Sequence, residues 1–311
     1  MDWPKPLKPT TGPLRQDKID GAYEAMGQWG DATRKLQSRE LVPPDMMCGL
    51  TLFLLGSQPR DTTRTPEIPG AGGGVAGGVW VRERYIIRRP LGRYEAFSVS
   101  GENVGRHVHK GRRYGTNVSL TMGPDGEDVG ANITTGLLQY KVQEGLQDQV
   151  EGIAANHLKD FVPDRAAAAS NPHVEQLRSL VAGEDLSGPR MQISLAMMQA
   201  RETAQSDNPI HSDPEMAKRA GLSEPIAGGS HVLAFPLEAI LHRCGPESLL
   251  YGSVFDIRWK SPVMADVPVT PKVVVVEAST AQVSLDVSMQ RDDGVAAMTG
   301  QIQIPLPEAN K

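Results

Sequence analysis

What most limits the fold of this chain is a pattern that occurs twice. Residues 42–55 and 225–241 are apolar on nearly every helical face, and each is followed by four segments in which apolar and polar residues alternate. A helix that is hydrophobic all round must be buried, and strands with one apolar face need a layer to cover it. The first copy reads as strands over 79–89, 94–102, 114–121 and 132–142; the second over 253–260, 268–277, 282–290 and 296–304. Turns such as Gly123-Pro124-Asp125-Gly126 and Asp292-Asp293-Gly294 separate them.

A shorter helix precedes each buried one. Ile19, Tyr23 and Met26 recur at helical spacing within 17–30. In the second copy Asp213 suits the N-cap, Pro214 the first turn and Gly221 the C′ position, while Pro236 predicts a kink in the buried helix. Residues 1–15, with four prolines, read as an extended arm, and 70–78 as a glycine-rich loop. Residues 143–188 read as a connection with one or two helical turns, after which Ile193, Leu195 and Met197 alternate as a further strand.

A long buried helix wrapped by a meandering antiparallel sheet is the hot-dog arrangement, and two copies predict an α+β double hot dog. The expected division is an N-terminal hot-dog domain over 1–150, a linker over 151–188 and a C-terminal domain over 189–311.

Composition removes several classes of function. Lys and Arg total 32 against 37 Asp and Glu, for a net charge of −5. That balance argues against nucleic-acid or polybasic membrane binding. No apolar run approaches the ~20 residues of a membrane span, and no secretory leader is visible at Met1-Asp2-Trp3-Pro4. Two distant cysteines, Cys48 and Cys244, give neither a disulfide framework nor a zinc site and predict a cytoplasmic protein. The histidines lack i, i+4 pairing, so no metal is expected. There is no G-x-S-x-G elbow, and the glycine run is not set between a strand and a helix as a dinucleotide fingerprint would be.

The chemistry is concentrated in residues 206–229, SDNPIHSDPEMAKRAGLSEPIAGG. Asn208, Pro209, Ile210 and His211, then Pro225, Ile226, Ala227 and Gly229, resemble the D-x-N-P-[LIV]-H … P-I-A-x-G signature of the MaoC-like (R)-specific enoyl-CoA hydratases and dehydratases. Arg258-Trp259-Lys260-Ser261-Pro262-Val263 resembles that family's F-K-x-P-V strand. The resemblance implies water addition to a 2-enoyl-CoA giving a 3-hydroxyacyl-CoA, or the reverse. That reaction needs a positioned acid, a base and backbone donors for the thioester oxygen, and no cofactor. His211 would be the acid/base and Gly229 an oxyanion donor, with Gly228, Asn208 and His231 as substrate-binding neighbours.

Five residues before His211 stands Ser206, where the family has Asp, and Asp207 follows it. Three readings stay open: Asp207 takes the Asp role in a loop one residue shorter, His211 works with Ser206 or a group from elsewhere, or the site has another task. His231 also reads as a polar residue at a helix start, and Asp213 as a cap rather than an acid. Arg106, Lys110, Arg112 and Arg113, beside His107 and His109, form the densest basic cluster: either a solvated sheet edge or a site for CoA phosphates.

The N-terminal half has no N-P-x-H, so one active site per chain is expected, with room for a bulky or branched acyl group. Such relatives commonly form homodimers. The alternatives are a non-catalytic acyl-CoA binder or partner subunit, and a hot-dog thioesterase.

Overall fold

The structure is a computed structural model that describes residues 5–51, 54, 79–138, 142, 144–145, 147–148, 161–205, 209–219 and 222–308. It is an α+β double hot dog. Among the described residues eleven antiparallel strands form one sheet in the order β1-β4-β5-β6-β3-β8-β11-β10-β9-β7, with β2 also on β4. The arm supplies β1 (Lys5–Pro6) and β2 (Thr10–Thr11). The N-terminal sheet is β3 (Val79–Ile87), β4 (Ser98–His109), β5 (Arg112–Met122) and β6 (Asp128–Leu137). The C-terminal sheet is β8 (Ser253–Trp259), β9 (Pro268–Ala278), β10 (Gln282–Arg291) and β11 (Ala296–Pro305), with β7 (Met191–Gln192) at its edge.

The two sheets join where β3 pairs with β8, Glu83 opposite Ile257 and Tyr85 opposite Phe255. The Tyr85 and Phe255 rings stack at 4.2 Å on the inner face. On the other face Arg82 makes a two-pronged bond to Asp256, at 2.9 and 2.6 Å. Strand edges that would otherwise invite foreign strands are thereby used to weld the halves.

In the C-terminal half α8 (Gly229–Cys244) is the buried helix: Val232, Leu233, Phe235, Leu237, Ile240 and Leu241 are each at most 3% exposed. It packs against β9 and β10. Fully burying side chains of this size stabilises by about 1.5–3 kcal/mol each. Pro236 lies inside the helix, as expected, where it removes one i→i−4 bond. In the N-terminal half the matching stretch begins as α3 (Pro44–Met47) and is helical again at 50–51 and 54.

Three expectations needed correction. Residues 17–30 form α1 (Gln16–Glu24) and a 3-10 turn (Gly27–Trp29), after which comes an unforeseen α2 (Asp31–Ser38). Alternation at Ile193, Leu195 and Met197 is not a strand. Only Met191–Gln192 is extended, and 195–205 is the helix α6 (Leu195–Gln205). Its Ala, Met, Gln and Arg residues are strong helix formers, and the Ser194 hydroxyl caps it by accepting from Met197 N at 3.2 Å. The strand expected to start at Tyr94 begins at Ser98 and runs to His109. The connection contains α4 (Arg165–Ala168) and α5 (Val174–Arg178). Among the described residues no helix is long and apolar enough to cross a membrane.

Candidate active site

His211 ends a 3-10 turn, Pro209–His211, that leads into α7 (Pro214–Arg219). Asp213 is committed there: its Oδ1 accepts from Glu215 N at 2.8 Å and Met216 N at 3.2 Å, the cap its position predicts. The segment that opposes His211 is held by an isolated β-bridge, Ile226 opposite Met264. Ala227 N donates to Val263 O at 2.7 Å, Ala265 N to Pro225 O at 3.0 Å, and Ile226 N to Ile210 O at 3.3 Å.

Within that frame His211 Nδ1 lies 2.7 Å from Ile226 O. A carbonyl only accepts, so Nδ1 carries the proton and Nε2 the lone pair. Burial holds the His211 pKa below 6.5, against a smaller opposing effect from the Ile226 bond. At neutral pH the ring is a neutral base of defined tautomer.

Three residues after Ile226 the helix α8 begins, so its first N–H groups lie within about 11 Å of the carbonyl that holds His211, at ~3.6 Å per residue. Gly228 is the N-cap, extended at φ −61° and ψ 149°, with no side-chain cap. The first N–H groups of a helix have no intrahelical acceptor and carry the positive end of its dipole, which suits a developing oxyanion. The two glycines differ. A Cβ at Gly228 would meet nothing within 4 Å, while one at Gly229 would fall 2.8 Å from the Trp259 ring. Trp259 Nε1 donates to Gly229 O at 2.9 Å, and Trp80 stands against Trp259 at 5.6 Å between ring centroids.

His231 is fully buried, and its Nε2 donates to Ala25 O at 2.9 Å, tying α8 to the end of α1. Burial foremost, then the Arg201 charge, pushes its pKa down to about 3. It is a neutral, buried ring bonded to the N-terminal half. Ser206, Asp207 and Asn208 lie outside the described residues, as do Gly221 and the glycine run at 70–78.

The basic cluster sits elsewhere. Lys110 and Gly111, at φ +48° and +69°, make the two-residue turn of the β4–β5 hairpin. Arg112 and Arg113 are exposed, His107 stacks on Tyr114 at 4.8 Å, and His109 pairs with Asp148 at 3.2 Å. The register Tyr114–Leu137–Val79 along β5, β6 and β3 puts this hairpin at the same end of the sheet as Trp80 and Trp259. Three strand steps separate β5 from β8, about 14 Å.

Sequence reasoning missed what the N-terminal half contributes. Arg201 of α6 makes a buried ion pair with Asp45 in the first turn of α3, the side chains 4% and 5% exposed. Glu238 of α8 caps α2, accepting from Ala32 N at 2.6 Å, Thr33 N at 2.9 Å and Thr33 Oγ1 at 2.6 Å. No local pattern signals pairs 156 and about 205 residues apart. Trp259 was visible within the motif, though not its packing on Gly229.

Residues 198–296 match the family model of the MaoC like domain. This stretch is similar to a MaoC-like domain. Around it the whole chain shares its fold with solved structures of low identity. A MaoC-like dehydratase from Phytophthora capsici is 14% identical, covers 98% of this chain and 97% of its own, and superposes with a TM-score of 0.64. Another MaoC-like dehydratase gives 16%, 96% of each chain and 0.66. A Mycobacterium tuberculosis protein described as a double hot dog gives 13%, 98% and 94%, and 0.59. No curated protein matches the chain by sequence. The matched residues hold His211 and the α8 N-terminus, and the N-terminal half repeats the architecture outside them.

Proposed function

We propose that this protein adds water to a 2-enoyl-CoA to give a 3-hydroxyacyl-CoA, or catalyses the reverse. The observation that carries the reading is the 2.7 Å bond from His211 Nδ1 to Ile226 O, three residues before an uncapped helix start. A neutral ring with its lone pair on Nε2 can take a proton from water as oxygen adds to Cβ. The thioester oxygen, gaining enolate charge, faces the N–H groups at Gly229 and its neighbour. The second proton handler is proposed to be Asp207 or Ser206, with Asn208 beside them.

Arg106, Lys110, Arg112 and Arg113 are proposed to meet the CoA phosphates. Their hairpin stands at the same end of the sheet as Trp259, at a reach suited to an extended pantetheine arm. The acyl group is proposed to be bulky or branched, since only the C-terminal half carries the hydratase motif and the other half is left to house the tail.

The test follows the loss of the enoyl-thioester absorbance band with a panel of enoyl-CoAs. Wild type should consume the band, His211→Ala should not, and Asp207→Asn should tell Asp207 from Ser206. Release of free CoA would replace this reading with thioester hydrolysis. Acyl-CoA binding that is unaccompanied by turnover would leave a binder or partner subunit. Preference for crotonyl-CoA over every bulkier enoyl-CoA would refute the bulky-acyl part.

A further inference from the structure

The strand β3 begins beside the candidate site and ends in the interior of the N-terminal half. Trp80, near its start, stands against Trp259. Three residues on is Glu83, about 10 Å further at ~3.3 Å per residue, and then Tyr85. Both are at most 1% exposed, on the inner face. Register extends the polar character sideways: Asn132 and Ser119 lie in the row of Tyr85, and Thr134 in that of Glu83.

These groups are incompletely served. Glu83 Oε1 accepts from Asn132 Nδ2 at 2.8 Å. Tyr85 Oη and Thr121 Oγ1, both buried, make no hydrogen bond among the described residues. Burial pushes the Glu83 pKa well above its ordinary value, against smaller opposing effects of Thr134 and Asn132, and so favours the protonated carboxyl. Buried hydroxyls without partners are costly and uncommon in a folded protein, and they point to a ligand or water that supplies the missing bond.

We propose that Glu83 and Tyr85 bind an oxygen-bearing group, a hydroxyl or a ketone, at the remote end of the acyl chain. The inference rests on the acyl-CoA reading above. A chain whose thioester lies at the start of α8 and whose carbons follow β3 past the tryptophans brings its far end to these two residues. The N-terminal half thereby selects oxygenated tails over plain alkyl ones.

The test compares trans-2-decenoyl-CoA with its ω-hydroxylated counterpart, measuring both turnover and, with the saturated analogues, calorimetric affinity. Wild type should bind the hydroxylated chain about tenfold more tightly, the worth of one good hydrogen bond. In Tyr85→Phe that ratio should fall towards one, and Glu83→Gln should reduce it. Tyr85→Phe removes an oxygen that has no protein partner, so the variant should fold, which a melting curve verifies. No preference in wild type, or a preference that survives both substitutions, overturns the inference and leaves internal water as the partner. A tail preference in binding without any turnover would sustain the inference and refute the hydratase reading. Turnover without preference would do the opposite.

Discussion

On the inner face of the C-terminal sheet Val273, Val275, Leu285, Val287, Met289, Ile302 and Ile304 are buried and form one core with α8. The matching face of the N-terminal sheet carries Glu83, Asn117, Ser119, Thr121, Asn132 and Thr134, equally buried. One architecture is thus filled in two ways. The apolar interior contributes hydrophobic stabilisation and a rigid platform. The polar one contributes less and demands hydrogen-bond partners, which suits a face reserved for recognition. The helix starts differ in the same sense. Two glycines open α8, while in α3 Asp45 is neutralised by Arg201 at the corresponding place. A helix start occupied by an internal ion pair offers little to an anion from outside.

The contrast can be broken most severely at His211. If only the C-terminal half does chemistry, His211→Ala should lower kcat by about a hundred- to ten-thousandfold, the usual worth of a general acid–base group. Retention of about half the wild-type rate, with a second enoyl-CoA site counted by calorimetry, would give the N-terminal half a site of its own.

Next in size is the ion pair that fills α3. Arg201→Met leaves Asp45 buried without its partner and should cost about 3–5 kcal/mol in urea unfolding. Adding Asp45→Leu should recover much of that loss. Strict additivity of the two substitutions would show that the pair is not coupled.

The two glycines of α8 separate packing from chemistry. Gly229→Ala drives a Cβ to 2.8 Å from Trp259 and should destabilise by about 1–3 kcal/mol. Gly228→Ala, with open space and a backbone that alanine accepts, should cost only the poorer N-cap, about 1 kcal/mol or less. Equal effects would contradict the Trp259 contact.

The smallest effect per step is in pH. His231 takes up a proton near 6.5 when unfolded and only near about 3 when folded. Between those values unfolding binds a proton, so stability is present above the unfolded value and falls as pH drops through the window. The slope is at most about 1.4 kcal/mol per pH unit for one group. His211 acts in the same direction. His231→Gln should flatten the fall relative to wild type, and an unchanged slope would place the titration elsewhere. For the same reason the acidic limb of kcat/KM should turn below pH 6.5, once His211 is protonated.

Legibility of the sequence followed the range of the interactions. The strand β10 and the Asp213 cap of α7 were readable because alternation and capping act within a few residues. The helix α2 was not, since Ala32 and Leu36 are the only apolar residues in DATRKLQS and its cap is Glu238, from the other half. At α6, three apolar residues at alternate positions imitated a strand, although Ser194 and the helix formers behind it held the contrary signal. In the candidate site the N-P-I-H segment marked His211, but nothing local marked the Ile226 carbonyl that fixes its tautomer. His231 was visible as a histidine at a helix start, but only packing reveals that its Nε2 faces Ala25.

By itself the sequence determined the repeated helix-and-sheet plan, the MaoC-like segment and the absence of a second such motif. Each is written in periodicity, capping or contiguous residues, which depend on neighbours along the chain. Only the tertiary structure decided that β3 and β8 weld the halves, that Asp45 and Glu238 meet partners across the molecule, and that the N-terminal interior is polar at its centre. Those outcomes depend on which distant surfaces come together, and burial shifts Glu83, His211 and His231 towards their neutral forms.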